Sequence, residues 1–162
     1  MRKTCGIVLA ALLMLACQGQ RSPDPQAASA ETRETRILDL AMERALIEKK
    51  IADHGLLADP RKVVLSDRNL PADWRPRLDG VEILLLTKAE IETRANRDGD
   101  LLFIYVSELS FPESDTASIR VHSMWAKAKD SNVVYLSGGG FAVIYHKDGD
   151  TWKEASSASW IS

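Results

Sequence analysis

Three side chains of the sequence are candidates for acid–base chemistry: Glu48, Glu108 and His122. A carboxylate or an imidazole can transfer protons near neutral pH when it lies within hydrogen-bond reach of the substrate. Such a role also needs a concave site that excludes water. The three residues lie far apart in the sequence, so whether they can form one site depends on how the fold places the elements that carry them.

Two of these candidates fall on neighbouring strands of a predicted hairpin. One regular register places Glu108 opposite Arg120 and Val106 opposite His122. A Glu–Arg–His cluster would then lie on one face of a sheet. The alternative interpretation is a solvated cross-strand ion pair that contributes only to sheet pairing.

The third candidate, Glu48, lies four residues after Arg44 in a predicted helix, at the spacing of an i,i+4 ion pair. Both residues interrupt the apolar arc of that helix. They could line a polar pocket. Alternatively, the aliphatic parts of both side chains could lie along apolar neighbours while their charged ends reach solvent.

The only two cysteines, Cys5 and Cys17, both lie near the start of the sequence. The remaining sequence therefore offers no thiol for a disulfide, a nucleophile or a metal site. The chemistry expected of Cys17 depends on its context.

That context is a basic start at residues 1–3, an apolar run from Gly6 to Ala16, and a polar residue, Gln18. The run is too short to span a bilayer core of about 30 Å, and it fits the apolar region of a signal peptide. Met14-Leu15-Ala16-Cys17 resembles the lipobox of bacterial lipoproteins, with Met14 where leucine is usual.

The resemblance implies that residues 1–16 are removed as a signal peptide and that Cys17 is lipidated with a diacylglyceryl group and an acyl chain such as palmitate. Gln18, rather than aspartate, implies the periplasmic face of the outer membrane. Ordinary secretion with cleavage after Ala28-Ser29-Ala30 is the alternative. Residues 17–35 are predicted to be a lipidated N-terminus and flexible tether with a reach of about 20–25 Å.

Metal sites are not expected. If Gly99 of the segment Asn96–Asp100 occupied position 6 of an EF-hand loop, Arg94 and Tyr105 would stand where acidic ligands are required. The segment is therefore predicted to be a hairpin-like turn. None of the histidines, His54, His122 and His146, has a second ligand at suitable spacing on its own element.

Cofactors are not expected either. Ser137-Gly138-Gly139-Gly140 could suggest a phosphate cradle, but a strand rather than a helix is predicted to follow it. Backbone flexibility or a bulge is the expected use of these glycines.

The periodicity predicts a single domain over residues 36–162, with two helices and six strands. Thr32 or Thr35 would cap the first helix and Gly55 would end it, and Thr87 would cap the second in a capping box with Glu90. The predicted helices are Arg36–Ile51 and Lys88–Arg97, and the predicted strands are Lys62–Leu65, Val81–Leu86, Leu101–Phe111, Thr116–Lys127, Gly140–His146 and Thr151–Ile161. The fold class is α+β, with an N-terminal helix packed on a curved antiparallel sheet.

The segment Gly140–Lys153 joins an apolar strand, a Lys-Asp-Gly-Asp turn and Trp152. It resembles the penultimate hairpin of the cystatin-like, nuclear transport factor 2-like superfamily, whose element order agrees with residues 36–162. The resemblance implies a cone between sheet and helices, which many members use for catalysis or for binding small molecules. It carries no set of catalytic residues to this sequence.

Composition excludes some classes of function. With 45% hydrophobic and 27% charged residues the chain is globular, and its net charge of -2 provides no basic surface for nucleic acid. The expected function is a non-enzymatic binding or interaction module at the bacterial cell envelope, with the membrane and an envelope protein or small ligand as partners. The alternative is a small-molecule enzyme that uses Glu108, His122 or Glu48 as acid or base.

Overall fold

The first helix begins where a threonine can satisfy its free amide groups. In the computed structural model, which describes residues 32–135 and 138–161, the Thr32 hydroxyl accepts a hydrogen bond from the Thr35 amide over 3.2 Å. Helix α1 (Arg33–Met42) follows and continues as a π-helical turn (Glu43–Ile47). The helix therefore begins three residues earlier than predicted.

The predicted end of this helix is wrong. The helical segment stops at Ile47, and Lys49 has a positive φ of 58°. Gly55 lies beyond it, in a short 3-10 turn (His54–Leu56). Propensity could not reveal the stop, because Glu48 to Ile51 are good helix formers and tertiary contacts override their preference.

The second helix, α2 (Lys88–Asp98), was predicted within one residue. The Thr87 hydroxyl accepts from the Glu90 amide, and the Glu90 carboxylate accepts from the Thr87 amide, so the predicted capping box is confirmed. This hydrogen bonding lowers the pKa of Glu90. Gly99 ends the helix with a φ of 97°, as the sequence predicted.

Six strands form one sheet in the order β2-β1-β3-β4-β5-β6. They are β1 (Lys62–Ser66), β2 (Glu82–Leu86), β3 (Leu101–Glu113), β4 (Thr116–Ala126), β5 (Gly139–Asp148) and β6 (Thr151–Ile161). The α+β class and the predicted Asp148-Gly149 hairpin are confirmed, since Asp148 pairs with Thr151 and Gly149 has a φ of 61°.

The prediction of a wholly antiparallel sheet is wrong. Strand β1 pairs in parallel with both β2 and β3, whereas β3 to β6 form an antiparallel meander. Helix α2 carries the chain from β2 past β1, and such a crossover makes β3 enter parallel to them. Hydrophobic periodicity indicates strands but not their direction, so it could not distinguish these arrangements.

The core lies between α1 and one face of the sheet, which we call the inner face. Trp74 anchors the loop between β1 and β2 to it, as predicted: Trp74 is buried and its Nε1 donates to Asp39 over 3.0 Å. The largest fully buried side chains of this core include Ile37, Leu38, Met42, Ile104, Val106, Ile119, Val121, Phe141 and Val143.

Helix α2 packs on the opposite face, which we call the outer face. Val64 of β1 and Phe103 of β3 are register partners on this face, and Ile91 and Ala95 of α2 are buried. The helix contacts strands at the β2 end of the sheet. Further along, apolar side chains of the outer face, such as Ile144, are exposed.

Candidate functional site

A row of aromatic side chains crosses the outer face. The rings of Tyr105 and His122 stack, with centroids 4.9 Å apart and planes 12° apart. Phe103 lies 6.1 Å from Tyr105 and Trp160 lies 5.2 Å from His122. Between His122 and Trp160, β5 contributes Gly140, which leaves the indole room to reach across the strand.

A β-bulge sets this arrangement and corrects the predicted register. The predicted pair Glu108–Arg120 is confirmed, but His122 faces Tyr105 and not Val106. Ser107 is the extra residue, and its Oγ lies 2.8 Å from His122 Nε2. Burial lowers the pKa of His122, and the positive charge of Arg120 lowers it further. Both effects favour the neutral form of the imidazole.

The two acid–base candidates of this face have different partners. Glu108 lies 3.4 Å from Arg120, and both side chains are at least half exposed, so their ion pair is solvated. His122 hydrogen-bonds to Ser107. The cross-strand interpretation therefore describes Glu108 and Arg120, and the structure does not join Glu108 and His122 as an acid–base pair.

Glu48 lies at the π-helical turn that follows α1, on the inner-face side of the sheet. Its carboxylate is 3.9 Å from Arg44, so the two approach as predicted, but the Glu48 side chain is 51% exposed. Arg44 reaches instead to β6, where it pairs with Glu154 and donates to Ser157 over 2.9 Å. Its guanidinium also lies 5.5 Å from the Phe141 ring centre.

The Arg44 side chain, 15% exposed, thus ties helix to sheet rather than lining an open pocket. The sequence did not reveal Glu154 as its partner, because that contact spans more than a hundred residues. Burial of the neighbouring phenol raises the pKa of Tyr145 to about 12.

A cleft of about 950 Å³ lies between α2 and the outer face. Its volume is in the range of small-molecule sites. Apolar and aromatic side chains and a polar rim line it, including Ile91, Phe103, Tyr105, Met124, Trp125, Arg68, Glu92 and Lys127. Sequence reasoning did not predict this cleft. The one sequence feature related to it is that the first part of β3 is apolar on both faces, which indicates that other elements cover both faces of that strand.

A second, smaller space of about 390 Å³, which we call the slot, lies beside the end of β4. Residues of the segment between β4 and β5 form its other side, among them Tyr135 and Gly138. Four residues line both the slot and the cleft: Tyr105, Met124, Trp125 and Lys127. The two spaces are therefore neighbours across a shared wall.

Asp100 holds the segment that flanks the slot. Its carboxylate accepts hydrogen bonds from the Ala128 amide, the Ser131 hydroxyl and the Tyr135 phenol, all within 2.6 Å. These bonds lower the pKa of Asp100 and raise the pKa of Tyr135 to about 12. The Tyr135 ring also stacks on Trp125, with centroids 4.1 Å apart.

The segment Asn96–Asp100 therefore has a structural use. Besides the Asp100 contacts, Asn96 Oδ1 accepts from the Lys129 amide over 2.7 Å. The predicted hairpin-like turn is wrong for most of this segment, because Asn96–Asp98 form the last turn of α2 and only Gly99 and Asp100 connect the helix to β3. Across residues 32–135 and 138–161, no three His, Asp or Glu side chains gather closely enough to hold a metal ion.

Two polar groups at the slot have no hydrogen-bond partner among the described residues. They are the hydroxyl of Ser123 and the indole Nε1 of Trp125, and both atoms are buried. Ser123 is 3% exposed. A buried unsatisfied donor of this kind is unfavourable by about 1–3 kcal/mol, so it requires an explanation.

The glycine segment beside the slot falls partly outside the described residues, because it includes Ser137. Gly139 and Gly140 begin β5, so the strand expected in place of a helix is confirmed. The expected bulge is wrong, because Gly139 and Gly140 pair in regular register with both β4 and β6. A Cβ on Gly140 would lie 2.2 Å from the carbonyl oxygen of Val121, so close strand packing requires this glycine.

The predicted signal peptide, the lipidation site Cys17 and residues 18–31 of the predicted tether lie outside the described residues. Neither helix of the part that the structure describes has the length and apolar character needed to cross a bilayer. No family model matches the chain, and comparisons with curated proteins and with solved structures give no match.

Proposed function

We propose that the chain is an exported lipoprotein, anchored through Cys17 at the periplasmic face of the outer membrane, whose domain binds a small ligand in the cleft beside α2. The lipobox resemblance at Met14–Cys17 supports the anchor. The cleft supports the binding role. We propose no catalytic step.

The observation that carries the binding role is the contrast between the two faces of the sheet. The inner face is filled by a packed core, whereas the outer face beside α2 holds an open space of about 950 Å³. Phe103, Tyr105 and Met124 line this space, and Met124 is 46% exposed. Concave, mostly apolar spaces with a few polar groups are typical of small-molecule sites.

We further propose that the fold is a variant of the cystatin-like, nuclear transport factor 2-like type. The helix α1 followed later by the four-stranded meander β3 to β6 supports this assignment, as does the hairpin at Gly149. The parallel strands β1 and β2 and the helix on the outer face are departures from the predicted layout. The ligand would lie in that outer cleft rather than in the cone beneath α1.

The binding role can be tested with the fluorescent probe N-phenyl-1-naphthylamine, which is neutral and apolar. Residues Glu31–Ser162 form a compact unit with its own core, so this part can be used without a membrane. We expect saturable binding that Phe103→Ser weakens by about tenfold, since a large apolar contact contributes roughly 1.5–3 kcal/mol.

The matched control is Ile144→Ser. Ile144 is also a partly exposed apolar residue of the outer face, but it lies outside the cleft. Its substitution should leave the affinity for the probe unchanged. Equal losses in the two variants, or no saturable binding by the unaltered domain, would refute the binding role.

The anchor is tested separately in bacteria grown with labelled palmitate. The full chain should take up the label, and Cys17→Ala should not. Label that persists in Cys17→Ala would show that the lipid is attached elsewhere.

A further inference from the structure

The outer face carries a serine and a histidine whose polar atoms meet. Ser107 Oγ lies 2.8 Å from His122 Nε2. When the imidazole proton is on Nδ1, the hydroxyl donates this hydrogen bond to Nε2, which is the arrangement of a nucleophile beside its base. Both residues are partly exposed, so a reagent can reach the hydroxyl from solvent.

Neighbouring side chains hold this pair in place. The His122 ring stacks on Tyr105, and the Trp160 ring approaches it at 67°. Ser107 is the extra residue of the bulge, and the Asn69 side-chain amide donates to its carbonyl oxygen over 3.2 Å. The hydroxyl and the imidazole are therefore oriented by the fold before any reagent binds.

The surroundings of His122 favour the neutral imidazole, which is the form that accepts a proton. Burial lowers its pKa, and the charge of Arg120 lowers it further. Arg120 is itself paired with Glu108 of β3. The rings that contact the imidazole from β3 and β6 are those of Tyr105 and Trp160.

A second hydroxyl–imidazole pair, on β4 and β5, is less suited to this chemistry. Thr116 Oγ1 lies 3.0 Å from His146 Nδ1, but the hydroxyl also lies 3.2 Å from the Asp115 carboxylate, to which it can donate. Its proton therefore has a second acceptor, and Thr116 is buried. His146 consequently offers a matched control for His122.

The surface beside Ser107 and His122 is apolar on the side of the cleft. Tyr105, which stacks on His122, also lines the cleft together with Phe103 and Met124. An acyl chain attached to Ser107 would pass Tyr105 and lie along this surface. An apolar acyl group therefore fits the pair better than a short or charged one.

We propose that Ser107 is a nucleophile that takes an apolar acyl group from an activated ester, with His122 as its base. The Ser107 oxygen bonds to the carbonyl carbon, and its proton passes to His122 Nε2. The bond from that carbon to the leaving oxygen breaks, and the imidazolium returns the proton to the leaving oxygen or to solvent. The product is an ester on Ser107, so the step modifies the chain and comprises no catalytic cycle. The preference for an apolar acyl group rests on the binding role proposed for the cleft, whereas the nucleophile does not.

The test uses p-nitrophenyl acetate and p-nitrophenyl octanoate on the Glu31–Ser162 unit. Absorbance follows release of p-nitrophenolate, and peptide mass spectrometry locates the ester, which we expect on Ser107 at about one equivalent. His122→Gln should slow acylation by about 100-fold or more, because a positioned base contributes about 10²–10⁴-fold. His146→Gln should leave the rate unchanged.

The pH dependence of the unaltered domain tests the base without any substitution. Acylation should speed up as the imidazole loses its proton, and it should reach half its maximal rate below pH 6.5, the ordinary pKa of histidine. A rate that only follows hydroxide concentration, or one that His122→Gln leaves undiminished, would overturn the base. Ser107 left unmodified by both esters would overturn the nucleophile.

The acyl group is tested by comparing the two esters at the same low concentration. The octanoate should acylate Ser107 several-fold faster than the acetate, and Phe103→Ser should reduce that difference. Equal rates would overturn the preference for an apolar acyl group. If N-phenyl-1-naphthylamine does not bind but the acetate still acylates Ser107, the binding role fails and the nucleophile is supported.

Discussion

Replacing Ser123 by alanine should stabilise the folded domain, which is unusual for a change at a residue that is 3% exposed. The Ser123 hydroxyl is buried without a partner among the described residues. Removing an unsatisfied hydroxyl recovers about 1–3 kcal/mol of desolvation penalty, and the small void left by the missing oxygen offsets part of that gain. We therefore expect a net gain of about 1 kcal/mol, or roughly 3–5 °C in melting temperature for a domain of this size.

Urea denaturation and thermal melting followed by circular dichroism measure this gain, and Ser66 offers a matched control. Ser66 is also a buried strand serine, but its Oγ accepts from the Arg68 amide over 3.3 Å. Ser66→Ala should therefore destabilise the domain by about 0.5–1.5 kcal/mol. If Ser123→Ala destabilises the domain as Ser66→Ala does, its hydroxyl is satisfied in the fold.

Three further changes test other parts of the structure. Gly140→Ala should destabilise the domain by about 1–3 kcal/mol or more, because the new Cβ meets a backbone oxygen of β4 at 2.2 Å; an unchanged urea midpoint would contradict this packing. A double-mutant cycle of Arg44→Met and Glu154→Gln should give a coupling energy above the value of about 0.3–0.5 kcal/mol that is typical of exposed i,i+4 ion pairs. A coupling energy near zero would show that this ion pair does not tie helix to sheet. Asp100→Ala should lower the Tyr135 pKa from about 12 toward 10.0, as followed by ultraviolet or NMR titration. Because the pKa of this phenol is raised in the folded domain, its contribution to stability is complete below pH 10 and is lost as pH rises toward 12. A variant with an unaltered titration would refute the hydrogen bond.

The sequence predicted most elements of the fold because their signals are local. Thr87 and Glu90 form a capping box that marks the start of α2, and Gly149 marks the turn of the last hairpin. The end of the first helix and the direction of β1 and β2 were missed. Both depend on packing between segments that are distant in the sequence, so periodicity and propensity carry little information about them.

The site was less predictable than the fold for the same physical reason. The single bulge residue Ser107 moves His122 from Val106 to Tyr105, and no local signal marks it. The unpartnered hydroxyl of Ser123 is equally invisible in the sequence, because the absence of a partner is a property of the whole fold. The acid–base candidates were chosen for their residue chemistry, and only the fold decides which of them lie together: Glu48 lies on the other side of the sheet from His122.

Methyl-resolved NMR of the Glu31–Ser162 unit during titration with N-phenyl-1-naphthylamine tests the proposed binding site most directly. We predict saturable shifts at the methyl groups of Ile91 and Met124, which line the cleft, and none at Ile37 or Val143, which lie in the core beneath α1. Unshifted Ile91 and Met124 methyls, or shifts confined to Ile37 and Val143, would contradict a ligand site between α2 and the outer face.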